Sequence, residues 1–187
     1  MPAEKKIVPY KVAKGNRPKI EEVFGYCLYD ELRVAALEFA QFMRDNEMLS
    51  RLYTSNTREY VVTYKKEPIC NIRIFAEEDW KSSGRGDGGP QSFSVTLRLH
   101  RYDTYKDRIA GEKLDSLQWS NVIYDWIQCR KNCLVCCYRG IDRAELNSEF
   151  KDVCWRNLTV LFAPGEIHTD GVKRFLLLEK QARDEQT

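Results

Sequence analysis

A chain of 187 residues with 30 basic and 28 acidic side chains has a formal net charge of +2, so no global field draws it to nucleic acid or to an anionic membrane. It is long enough to bury roughly 70 % of its unfolded surface as one domain without disulfide staples. No window holds the ~18 continuous apolar residues of a membrane span. The N-terminus Met1-Pro2-Ala3-Glu4-Lys5-Lys6 has no signal-like apolar run, and seven cysteines are an odd number; together these predict a cytoplasmic protein with reduced thiols and no membrane partner.

Residues 1–25 carry Lys5, Lys6, Lys11, Lys14, Arg17 and Lys19 with three prolines and, before Glu21, a single acid. They read as a basic extended arm, solvated by default, with phosphate contact to nucleic acid as its functional alternative. Residues 26–187 read as a single α+β domain. From Asp30, a residue suited to N-capping, Leu32, Ala35, Ala36, Phe39, Phe42 and Met43 recur at helical spacing. Met48, Leu49, Leu52 and Tyr53 read as an extension of that helix or a second short one.

Three strands follow. Residues 59–66 alternate Tyr60, Val62 and Tyr64 against Val61 and Thr63, and residues 69–75 place Cys70, Ile72 and Ile74 on one face, so the pair reads as a hairpin. Residues 92–99 turn Phe93, Val95, Leu97 and Leu99 inward, with Ser92, Ser94, Thr96 and Arg98 outward. The intervening Gly84, Gly86 and Gly89 satisfy G-x-G-x-x-G, but Pro90 and a strand follow where a dinucleotide site needs a helix N-terminus to hold the pyrophosphate. A flexible hairpin loop is the reading that survives.

Leu114, Leu117, Trp119, Val122, Ile123, Trp126 and Ile127 form an apolar helical stripe expected to cover the sheet. Residues 145–155 read as a short helix, residues 158–162 as a short strand or helical turn, and Asp170 as the cap of a last helix with Val172, Phe175, Leu176 and Glu179 in register. The expected fold is thus α+β: an N-terminal helix, a three-stranded antiparallel sheet, then a helical C-terminal half packed on one face of the sheet.

The chemistry-bearing segment is the Cys-rich corner at 129–154. Cys129, Cys133, Cys136 and Cys137 fall within nine residues, and Cys154 lies within reach. Such a cluster suits Zn²⁺, which takes four thiolates at roughly 2.3 Å. The same spacing, i, i+4, i+7 and i+8, also describes one face of a helix with buried thiols. One unbroken helix would set Cys129 and Cys137 about 12 Å apart, too far to share a metal, so a zinc site requires the helix to end near Asn132 or Cys133 and Cys154 to close the shell.

Elsewhere catalytic chemistry is thin: His100 and His168 sit in no metal-spaced or nucleophile motif, and the acids Glu77, Glu78 and Asp79 read as a solvated run. Two functions follow. One is a binding or interaction module with a structural zinc held by four cysteines and an unknown protein or small-molecule partner. The other is a thiol-dependent enzyme or redox sensor using a cysteine of the 129–137 cluster, although vicinal Cys136 and Cys137 would close only a strained ring and Cys129 and Cys133, four apart, do not form a C-x-x-C pair.

Overall fold

Among the described residues, apolar periodicity builds three helices. In a computed structural model, which describes residues 17–53, 58–76, 91–102, 104–105, 108, 158–165 and 169–186, α1 (Ile20–Cys27) buries Ile20, Val23, Phe24 and Cys27. Helix α2 (Asp30–Asp45) buries Leu32, Ala36, Phe39, Ala40 and Met43 along one stripe. Helix α3 (Asp170–Asp184) buries Val172, Phe175, Leu176, Leu178 and Ala182, and with them the charged pair Glu179 and Arg183. None of these helices is long and apolar enough to cross a membrane.

Among the described residues five strands form one antiparallel sheet in sequence order: β1 (Leu49–Leu52), β2 (Glu59–Tyr64), β3 (Glu67–Phe75), β4 (Ser92–Leu97) and β5 (Leu158–Phe162). Period-two alternation fixes the register, because a slip of one residue would turn the apolar set outward. The central row runs Leu52, Tyr60, Ile72, Val95 and Val160 across all five strands. Three helices supply the second layer of a single core that includes this row's buried members. Phe93 is its hub: its ring centroid lies 5.4 Å from Phe24, 6.4 Å from Phe39 and 4.7 Å from Phe162.

The sheet is larger than the sequence pattern predicts, and this overturns the three-stranded expectation. Residues 49–52 are not the helical extension that their apolar spacing suggests, because α2 ends in a complete Schellman motif. Met48 N–H donates to the Met43 carbonyl at 2.9 Å and Glu47 N–H to the Arg44 carbonyl at 3.0 Å, with Glu47 left-handed at φ 61. The chain reverses there and pairs with β2. At the other edge, residues 158–162 are a strand, and their pairing with β4 places a strand in the C-terminal half that the pattern makes helical. A short apolar run does not distinguish strand from helical turn by itself.

Three smaller corrections concern the N-terminal region, the caps and the outer face of β4. Residues 20–25, assigned to the basic extended arm 1–25, form most of α1, and the Tyr60 hydroxyl donates to the Pro18 carbonyl at 3.0 Å. Asp30 and Asp170 are first helical residues rather than caps; the caps are Tyr29 and Thr169, neither of which makes a side-chain cap bond. Ser92 and Ser94, expected to face outward into water, are buried. The stripe at 114–127, the helix at 145–155 and the Gly84–Gly89 loop lie outside the described residues.

Candidate functional site

A cavity of ≈ 350 Å³ opens where the start of α2 meets the approach to β4 and the turn after β5, lined by Tyr29, Asp30, Glu31, Leu32, Gln91 and Pro164. The post-β5 turn is held by Gly165, whose φ of 83 suits glycine and whose N–H donates to Glu31 Oε1 at 3.3 Å. Asp30 is left-handed at φ 48. Gln91 Oε1 is buried without a donor among the described residues. The described lining offers acceptors and an aromatic ring. Its chemistry is that of a small recess for hydrogen-bond donors, opposed by the positive end of α2.

A multiply bonded polar constellation lies elsewhere, inside the core. Glu179 is fully buried on α3. Its Oε1 accepts from Arg183 Nε at 3.1 Å and Nη2 at 3.0 Å. Its Oε2 accepts from the Tyr105 hydroxyl at 2.8 Å, and both oxygens take the Arg101 N–H, at 3.2 and 3.1 Å. Arg183 in turn donates to the carbonyls of Glu67 at 3.2 Å and Pro68 at 2.9 Å. Burial, then the facing Glu179 charge, pushes the Tyr105 hydroxyl well above its ordinary range.

Every strong valence of this carboxylate is taken by neutral donors and one arginine. It therefore ties α3 to the β2–β3 turn and to the chain leaving β4. The ensemble is thus a staple between these elements.

A second cluster sits at the rim of the same turn. The Tyr64 hydroxyl donates to Asp184 Oδ1 at 2.6 Å, and the Lys65 and Lys180 ammonium groups lie 2.9 and 3.3 Å from the same carboxylate. Lys180 also stands 4.8 Å over the Tyr64 ring. The Tyr64 hydrogen bond, followed by that of Lys65, lowers the Asp184 carboxyl to about 2.

None of Cys129, Cys133, Cys136, Cys137 and Cys154 falls within the described residues, and neither does His168. His100 is exposed in the turn after β4. The other two cysteines, Cys27 and Cys70, are buried in the core. Burial raises the Cys70 thiol far above its usual value against a weaker pull from Arg98, so it is a poor nucleophile and a poor ligand. Among the described residues no group of three or more His, Cys, Asp and Glu side chains is placed to hold a metal.

Sequence reasoning missed the Glu179 staple, for which a signal existed: a glutamate in the apolar register of α3 with an arginine four residues on. It also missed the cavity, whose walls come from three separate parts of the chain. Comparison with protein-family models, with curated proteins and with solved structures finds no match.

Proposed function

We propose that this chain is a non-catalytic binding or interaction domain of the cytoplasm, stabilised by a structural zinc ion that four of Cys129, Cys133, Cys136, Cys137 and Cys154 hold. The observation that carries the reading is the distribution of thiols. All cysteines outside the 129–154 stretch are core residues, Cys27 and Cys70, so the remaining five are concentrated where short ligand loops are available. Pairing of Leu97 with Leu158 ties together the two ends of residues 98–157. A cross-link inside a stretch so long, against the roughly two to five residues of an ordinary hairpin loop, has much chain entropy to remove.

Four thiolates fill the tetrahedral shell and leave no open position for a substrate water, which is why the metal is structural. Arg130 and Lys131 beside the ligands favour the thiolate form. Elemental analysis of the purified chain, run beside a thiol titration, tests the reading. Stoichiometric zinc with protected thiols, released in Cys133→Ser together with a lower melting temperature, is the expected result. Metal-free protein carrying one hyper-reactive thiol would overturn it in favour of a thiol enzyme or redox sensor.

A further inference from the structure

Among the described residues, strand β1 is the outermost strand at one edge of the sheet. Tyr53 N–H donates to the Glu59 carbonyl at 2.8 Å, and the register continues Leu52 to Tyr60, Arg51 to Val61, Ser50 to Val62 and Leu49 to Thr63. Bonded and non-bonded pairs alternate along an antiparallel ladder. Leu49, Arg51 and Tyr53 therefore turn their N–H and C=O groups toward β2, and Ser50 and Leu52 turn theirs outward. β1 is the terminal strand of the sheet, and among the described residues nothing meets those outward groups.

The side chains add a pattern to this edge. On the face away from the helices, Leu49 is 60 % exposed and Tyr53 is 65 % exposed, with exposed Arg51 between them. Open edges are templates for another strand, and proteins blunt them with proline, bulges, charge or a covering element. β1 has neither proline nor a register shift against β2, and one arginine is its only charge.

We propose that β1 binds an extended peptide of a partner protein as a sixth strand, with apolar, acidic and apolar residues at alternate positions facing Leu49, Arg51 and Tyr53. Main-chain bonds to Ser50 and Leu52 provide the attachment, and the alternate side chains provide the selection. An acid opposite Arg51 forms the favourable cross-strand pair. A second copy of this chain fits less well. Pairing centred on Arg51 would set that residue against its own copy, and a four-residue edge falls far short of the roughly 800 Å² per partner of a stable interface. The occupant is accordingly a transient peptide ligand. None of its residues belongs to the cysteine segment, and its main-chain bonds need no metal.

The test uses the full chain and a fluorescein-labelled peptide of alternating threonines around a Val-Thr-Asp-Thr-Leu centre, read by anisotropy and by amide hydrogen exchange. Saturable binding is expected, with the Ser50 and Leu52 amides gaining protection. Ser50→Pro removes one outward N–H while leaving the bonds of Leu49 and Arg51 to β2 intact, so it should weaken binding by about tenfold. Arg51→Glu should reverse the preference toward the same peptide with Lys in place of Asp. The proposal is overturned by the absence of saturable binding, by equal affinity in Ser50→Pro and wild type, or by a concentration-dependent dimer that Arg51→Glu dissolves. Metal content measured on the same samples reports separately on the cysteine reading.

Discussion

At the scale of single residues, two carboxylates on α3 make paired contacts and differ in exposure. Glu179 is wholly buried and satisfied by Arg183, Tyr105 and a backbone N–H. Arg183→Met leaves that carboxylate in the core without its cation, and breaking one side of a buried pair costs about 3–5 kcal/mol. The urea midpoint of Arg183→Met should fall accordingly; an unchanged midpoint would show that the staple is incidental to stability. Asp184 is a half-exposed counterpart, 38 % open to solvent. Its carboxyl is lowered from 3.8 to about 2, first by the Tyr64 hydrogen bond, so its contribution is present above pH 3.8 and is lost as pH falls toward 2. Screening at that exposure limits the effect to about 1 kcal/mol or less. Acid titration of stability should show a shallower loss over this window in Asp184→Asn than in wild type. Of these groups Glu179 and Arg183 are visible in the sequence, as a charge in an apolar register with an arginine four residues on, whereas Tyr105 and Arg101 are distant along the chain.

At the scale of elements, legibility follows the number of cycles a pattern completes. Strands β2, β3 and β4 are legible because six to nine residues give several cycles of the period-two pattern. β1 and β5, at four and five residues, give too few cycles, and the long-range pairing that makes them strands is not written locally. The end of α2 explains the rest of the error. Glu47 occupies the left-handed position that glycine favours, so no glycine marks the stop. Glu47→Gly should relieve the steric cost of that conformation, about 1 kcal/mol, and raise the melting temperature. A fall in melting temperature would mean that the Glu47 side chain makes a contact worth more than the strain. The β2–β3 turn repeats the pattern, with Lys65 at φ 47 and Lys66 at φ 69 where Asn-Gly is the usual pair.

At the scale of the whole molecule, the decisive fact is that α1, α2, α3 and all five strands share one two-layer arrangement around Phe93. An extended arm reaching to residue 25 would make residues 20–25 dispensable, since a basic, proline-containing segment buries too little apolar surface to offset its ordering cost. Phe24 argues the opposite: its side chain is fully buried and its ring packs 5.4 Å from Phe93, on the strand that pairs with both β3 and β5. Deleting so large a side chain from a dense core costs about 3–5 kcal/mol, through lost transfer energy and the cavity left behind. Phe24→Ala should therefore lower the single unfolding transition of the domain. Native-state hydrogen exchange should show the amides of β3 and β4 losing protection together with those of α1, because a residue at the hub destabilises the cooperative unit and not merely its own helix. Loss of protection confined to α1 would instead make that helix a separable appendage, and would move the domain boundary back toward the start of α2.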